Sequence, residues 1–276
     1  MDKDIFEIVR AAEEAKKQSP LVGSWTNFVT IEFVANVQLA AGGRAAMCFL
    51  PDENVPLATV SKATYINVGT LEPVAAQALP GAAKAAVGLN KPWVLDPVAA
   101  GLGDTRNFIL KELKKYPPTI IRGNASEIIS LANLWGLASA KGNVEGVDST
   151  DTVEAAANAA AELVKYTKGV VAVSGEADLI INGEKAYRVT GGSEMLKSIT
   201  GSGCSLGGLM AVYVSVTDAL TAALTASLAF KCASESAQKS TAGTASFRTA
   251  FIDNLSLLDA ETLSEYAKKH LKEANV

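Results

Sequence analysis

A layered α/β fold, with a mostly parallel central sheet and helices on both faces, is predicted by three features of this sequence. Short apolar runs alternate with longer stretches of helical periodicity between residues 45 and 173, the order that parallel strands with crossover helices require. An Asn182-Gly183 pair between two short runs adds a hairpin. Of the 276 residues, 49% are hydrophobic and 20% charged, enough apolar side chains for a large core and too many for disorder. No fixed-period repeat or low-complexity linker divides the chain, so residues 1–276 are expected to form one domain.

Residues 4–17 place Ile5, Ile8, Val9 and Ala12 at helical spacing with charges opposite, and Ser19-Pro20 stops this opening helix. Residues 25–30 read as irregular, and 33–40 as a second helix closed by Gly42-Gly43. Strands are expected at 45–49, 64–68, 93–95, 119–121 and 169–173. Helical patterns at about 72–88, 105–115, 125–135 and 152–167 fill the gaps. Residues 178–181 and 185–189 flank the Asn182-Gly183 turn as an antiparallel hairpin at one sheet edge. Beyond it, helices are expected over 204–216, 219–239, 247–257 and 260–273.

A net charge of -4 without a dense Lys/Arg cluster argues against a nucleic-acid surface and for a small partner. Cys48, Cys204 and Cys232 are widely spaced and lack a histidine pattern, which disfavours disulfides or zinc and suits a reducing cytoplasm. The charged N-terminus lacks the apolar core of an export signal. Residues 202–230 carry only Asp218 as a charge, but Asp218 and the glycines divide them into pieces short or polar for a span, so two buried helices are expected and no membrane partner.

In open parallel sheets ligands bind beyond the carboxyl ends of the strands, and the unusual polar residues collect there. Met47-Cys48, Asn67, Asp96-Pro97, Arg122-Gly123-Asn124 and Ser174-Gly175-Glu176 end the five successive runs. Asn124 with Glu127 forms a helix capping box, and Asp151 with Glu154 suggests another, so Glu127 has a structural role available. A carboxylate such as Asp96 at a buried strand end needs a partner. Asp96 and Glu127 could hold magnesium while Arg122 and the Gly201 turn hold phosphate oxygens.

That turn, Ile199-Thr200-Gly201-Ser202-Gly203-Cys204, feeds a helix N-terminus whose free N–H groups and dipole favour an anion. Cys204 stands where the helix begins, a position that lowers a thiol pKa from about 8.5 and makes it a candidate proton acceptor. The competing reading is a glycine turn before a buried helix, with Cys204 a small core residue. Together the groups suggest phosphoryl transfer, although neither the Walker glycine-lysine loop nor a dinucleotide fingerprint occurs. His270, the sole histidine, lies in a charged terminal stretch and is expected on the solvated surface, which removes histidine triads.

Six ordered blocks carry a family resemblance: Thr26-Asn27-x-Val29-Thr30 with Val34-Ala35-Asn36; Val94-Leu95-Asp96-Pro97-Val98 with Gly101; Ile121-Arg122-Gly123-Asn124-Ala125-Ser126-Glu127-Ile128; Gly146-Val147-Asp148-Ser149; Val171 to Glu176 with Asp178; and Ile199 to Cys204. On these the chain resembles the hydroxyethylthiazole kinases, ribokinase-like enzymes of thiamine salvage with a three-layer α/β/α fold. The resemblance implies ATP- and Mg2+-dependent phosphorylation of 4-methyl-5-(2-hydroxyethyl)thiazole by a homotrimer with sites between subunits. It implies that Met47, Gly201, Asn27 and Val98 meet the thiazole, that Arg122, Ser174 and Gly203 meet ATP, that Asp96 and Glu127 serve the metal, and that Cys204 is the base. Departures stand at Glu32, Ala45-Ala46, Ala99 and 242–246, so a related small-alcohol or hydroxymethylpyrimidine-type kinase, or a silent binding protein on this scaffold, are the alternative expectations.

Overall fold

The computed structural model describes residues 1–137 and 153–274, so the Gly146-Val147-Asp148-Ser149 block and the capping box begun by Asp151 lie outside the described residues. In chain order the elements are α1 (Asp2–Gln18), β1 (Leu21–Trp25), α2 (Ile31–Ala40), β2 (Arg44–Met47), α3 (Asn54–Val60), β3 (Ala63–Asn67), α4 (Ala75–Gly88), β4 (Trp93–Asp96), α5 (Asp104–Leu113), β5 (Ile120–Asn124) and α6 (Ala125–Leu134). They continue with α7 (Val153–Thr167), β6 (Val170–Ser174), β7 (Asp178–Ile181), β8 (Ala186–Val189), α8 (Ser202–Val214), α9 (Ala219–Ser240), α10 (Thr244–Leu257), α11 (Ala260–His270) and β9 (Leu271–Ala274). Among the described residues nine strands form one sheet in the order β2-β1-β3-β4-β5-β6-β7-β8-β9. From β2 to β6 neighbours run parallel, and β7, β8 and β9 are antiparallel to theirs.

The sheet separates two cores. One lies under α1, α2 and α8 to α11, with Tyr65, Val94, Ile120 and Ala172 pointing into it. The other lies under α4 to α7, with Ile66, Leu95, Ile121 and Val173 pointing there. Because β3 and β4 are buried on both faces, they read as unbroken apolar runs rather than alternating ones. Alternation still governs direction: Asn67, Asp96, Arg122 and Ser174 each follow an α8-side residue by two, so all four end their strands on the α8 face.

Three elements depart from the expectation. β1 lies at 21–25, ahead of the segment read as irregular, because Gly23-Ser24 interrupts its apolar run. A Cβ on Gly23 would fall 2.9 Å from Leu57 Cγ, so the missing side chain lets α3 pack close. α3 itself was hidden by its seven-residue length and by Pro56. β9 replaces the end of the last expected helix and pairs with β8 through Val189↔Leu271 to Ala186↔Ala274, so the hairpin lies inside the sheet and β9 is its edge. His270 is likewise corrected: it is buried, stacked on Tyr266 with ring centroids 4.1 Å apart, and its Nδ1 lies 3.2 Å from Thr190 Oγ1. Burial lowers its pKa. No described helix is long and apolar enough to cross a membrane.

Candidate functional site

Strand order reverses at β1, which has β2 on one side and β3 on the other, so a crevice forms beyond their carboxyl ends. Asn27 and Asn67 bridge it: Asn27 Nδ2 donates to Asn67 Oδ1 at 2.9 Å, and the Gly69 amide donates to the same oxygen at 2.9 Å. Asn67 Nδ2 passes the network on to Asp96 Oδ2 at 2.9 Å and to Tyr65 Oη at 3.0 Å. Tyr65 Oη also lies 2.9 Å from Asp96 Oδ2 and 2.7 Å from the Cys204 carbonyl oxygen, so its single proton serves one of two acceptors. Beyond Asp96 stands Arg122, with Nη1 3.6 Å from Asp96 Oδ1 and Nε donating to Ser174 Oγ at 3.1 Å.

Electrostatics at the centre are set by burial. Asp96 is fully buried, and desolvation drives its carboxyl up to about 7, with Arg122 pulling it down and Glu127 adding to the rise. Burial opposes the Arg122 charge, yet Asp96 and Glu127 outweigh it and hold the guanidinium protonated. Asp96 Oδ1 has no hydrogen bond, although the rest of its carboxyl is saturated. Glu127 does close the capping box: Oε2 accepts the Asn124 amide at 2.9 Å and Oε1 accepts the Ala99 amide at 3.2 Å. Its structural role is thus present, and its carboxylate lies near enough to Asp96 to raise the Asp96 pKa. Ala99 holds φ at +55°, where an L-residue is strained and glycine is at ease, so this departure from the family pattern carries a backbone penalty.

α8 begins at Ser202, two residues before the expected start, with Gly201 as N-cap at φ +89°. A Cβ there would meet Thr30 Cγ2 at 2.9 Å, and one on Gly203 would meet Arg122 Nη1 at 2.7 Å. Gly201 is thus favoured by both its positive φ and close approach, and the Arg122 guanidinium lies directly over the first turn of α8, where a side chain at Gly203 would displace it. Cys204 Sγ lies 3.8 Å from Asn27 Nδ2. The expected lowering of its pKa is not what the fold produces. Burial, then the Asp96 carboxylate, push the thiol up, and Thr30, Arg122 and Asn67 offset this only in part.

The structure therefore brings Asn27, Asp96, Arg122, Glu127, Ser174, Gly201, Gly203 and Cys204 to one crevice. Met47, paired with Ser24 at the end of β2, and Val98, in the turn after β4, stay outside the hydrogen-bonded network. Tyr65 and Thr30 were missed by sequence reasoning, and a tyrosine two residues before the strand-end Asn67 was the available sign for the first. The departure at Glu32 acquires a partner: it forms an ion pair with Arg248 of α10, whose guanidinium lies 4.6 Å over the Phe33 ring. The pair thus ties the departure at Glu32 to α10, two residues beyond the altered segment 242–246.

A sequence model described as the Hydroxyethylthiazole kinase family matches residues 12–261. The hydroxyethylthiazole kinase of Bifidobacterium longum subsp. infantis is 49% identical over 94% of this chain and 88% of its own length. That of Rhizobium johnstonii is 41% identical over 92% and 93%. The hydroxyethylthiazole kinase structure from Pyrococcus horikoshii superposes with a TM-score of 0.86 at 27% identity, covering 97% of this chain and 99% of that one. A ribokinase-like superfamily protein of Enterococcus faecalis, 12% identical with a TM-score of 0.61 over 87% and 88%, shares the fold. The chain has the ribokinase-like three-layer architecture and belongs to the hydroxyethylthiazole kinase family.

Proposed function

We propose that this chain transfers the γ-phosphoryl group of ATP to the primary hydroxyl of 4-methyl-5-(2-hydroxyethyl)thiazole. The observation that carries the reading is the buried Asp96–Arg122 pair set against the N-terminus of α8, where Cys204 shares its hydrogen-bonded network. Such transfer needs placement, charge neutralisation and a proton acceptor rather than covalent catalysis. Arg122, fixed by Ser174 and lying over Gly203, neutralises phosphate oxygens, and the first-turn amides of α8 receive the transferred group. Cys204, as thiolate, takes the hydroxyl proton while the alcohol oxygen bonds to the γ-phosphorus. The bond from that phosphorus to the β–γ bridging oxygen breaks, and ADP departs with the electron pair. Asn27, Met47, Val98 and the Gly201 backbone orient the alcohol.

The donor set fits magnesium. Asp96 offers a buried carboxylate oxygen without a hydrogen bond, and magnesium takes one or two carboxylates with phosphate and water completing its shell. Asp96 would hold it directly and Glu127 through water, since both Glu127 oxygens already accept amides. When bound it supplies charge neutralisation across the β- and γ-phosphates. The working unit in this reading is a cytoplasmic homotrimer with sites between subunits. A free Cys204 thiol suits a reducing compartment, and exposed apolar residues near the β1–β2 edge, among them Phe28 and Val29, suit a covering subunit.

The test is ADP release from ATP and magnesium with the thiazole alcohol beside hydroxymethylpyrimidine and simple sugars. Release with the thiazole is expected. Release only with another alcohol would move the error to the Met47 region, and silence across the panel with ligand still bound would overturn the kinase reading.

A further inference from the structure

Lys231 lies in the middle of the apolar helix α9, between the buried residues Phe230 and Cys232, and is itself only 7% exposed. Its ammonium stands 3.4 Å from Asp178 Oδ1 and donates to the carbonyls of Glu176 and Gly191 at 3.2 Å each, and of Gly175 at 3.5 Å. A buried ion pair with this separation is weak ground for stability by itself, because desolvating both charges offsets their attraction. What distinguishes this lysine is that its backbone acceptors belong to two different loops. One is the turn after β6, which carries Ser174. The other follows β8 and runs through Gly192 and the 3-10 turn Glu194–Ser198 into Gly201 and α8.

The elements that these two loops lead from and into meet at Arg122, which bonds Ser174 at the end of β6 and lies against Gly203 in the first turn of α8. The two loops are therefore held together at two places, by Lys231 at the carbonyls of Gly175, Glu176 and Gly191 and by Arg122 where β6 and α8 adjoin them. α9 reinforces the rear fastening: Glu235 Oε1 accepts the Gly192 amide at 2.9 Å, and Ser234 Oγ accepts the Ser193 amide at 3.1 Å. The second loop has room for this only as glycine, since Gly192 holds φ at +93° and a Cβ there would lie 3.1 Å from Lys231 Cγ.

We infer that Lys231 is a positioning residue that sets the spacing of the two loops and through it the grip on ATP. The inference rests on the reading of Ser174 and Arg122 as ATP contacts. Its test compares Lys231→Met, the double variant Lys231→Met with Asp178→Asn, and Ser174→Ala. Lys231→Met should raise the KM for ATP by about 10-fold while kcat at saturating ATP changes by less than about 3-fold, the pattern of lost ground-state binding. Amide hydrogen exchange should accelerate in both loops. The double variant removes the carboxylate left buried without its partner, so its melting temperature should recover while the ATP KM and the exchange stay altered. Recovery of the ATP KM together with the melting temperature would overturn the inference, because Lys231 would then serve only to neutralise Asp178. An unchanged ATP KM in Lys231→Met would overturn it too, and Ser174→Ala tells whether the ATP-site reading falls with it: a raised KM there keeps that reading, an unchanged one sinks it.

Discussion

At the ends of strands β3 to β6, Asn67, Asp96 and Arg122 are polar and buried and join the partly buried Ser174 in one network, whereas around the end of β1 and beyond β2 the protruding residues are apolar and open: Phe28 is 53% exposed, Val29 60% and Leu50 51%. In the reading proposed above, only the first of these two ends is finished within a single chain. The Asn27–Asn67–Tyr65–Asp96–Arg122–Ser174 chain of contacts is preorganised for charge, which is what a phosphoryl transfer site requires. At the other end Phe28 and Phe49 stack on each other, centroids 4.2 Å apart, and leave the rest of the surface for something else to cover. In the proposed reading the first end carries the chemistry and the second the recognition of the acceptor, and substitutions at each end should separate the two in measurement.

The largest effect belongs to the finished end. Asp96→Asn keeps the volume and removes the charge that Arg122 and the proposed metal answer, so kcat should fall by about 10³-fold, the scale of losing one preorganised electrostatic group. Steady-state rates at saturating ATP and alcohol, with circular dichroism to confirm the fold, check this. A loss under tenfold would mean that the buried pair is structural.

Next comes the base. Cys204→Ser should lose about 10²-fold in kcat, as for a removed general base, and Cys204→Asp should retain activity. The pH profile carries the sign. Burial and Asp96 hold the thiol above its ordinary range, so the thiolate fraction, and with it the wild-type rate, climbs as pH rises through and above neutrality. In Cys204→Asp the acceptor titrates below the thiol, so the climb should disappear above neutrality. A flat wild-type profile between about pH 7 and pH 9 with an active serine variant would remove Cys204 from this role.

Much of the finished end was legible in the sequence because buried parallel strands are written as unbroken apolar runs, and the polar residues that close them stand out. Asp96, Arg122 and Ser174 were found that way. Tyr65 was not, since a tyrosine inside an apolar run looks like core until a neighbouring glycine, Gly207, makes room for its ring: a Cβ there would fall 2.7 Å from Tyr65 Cε2. Burial also decided what local sequence could not. The helix N-terminus at Cys204 argued for a lowered thiol pKa, and the surrounding protein raised it. At the other end of the chain, Lys272 and Glu273 favour helix locally, and pairing with β8 overrode them. His270 followed the same logic, a ring in a charged stretch that the tertiary fold covers.

Tyr65→Phe sharpens the comparison at smaller scale. It leaves the ring in place and deletes the hydroxyl that touches Asp96 Oδ2, Asn67 Nδ2 and the Cys204 carbonyl. Loss of one buried hydroxyl among three polar groups should destabilise by about 1–3 kcal/mol, read by chemical denaturation. Because the two groups it joins are the proposed metal ligand and the first turn of α8, kcat should fall about tenfold with the KM for the alcohol unchanged. Stability lost without any change in kcat would reduce Tyr65 to packing.

The smallest catalytic effect is expected at the unfinished end, where Val29→Asp discriminates between a bare surface and a covered one. On a surface that stays in water, an exposed valine exchanged for aspartate changes stability by no more than about 0.5 kcal/mol and leaves the sedimentation coefficient as it was. Under a second copy of the chain, the same carboxylate would be buried without a partner, and a desolvated, unpaired charge costs several kcal/mol. We expect the second outcome: a shift toward the monomer in sedimentation velocity and a raised KM for the thiazole alcohol. ATP affinity and the exchange protection of the Arg122–Ser174 end should stay the same, since the contacts of Arg122 with Ser174 and Asp96 are made within one chain. If ATP affinity falls in step with dissociation, the two ends are not independent, and the division between a self-sufficient phosphoryl side and a shared acceptor side has to be given up.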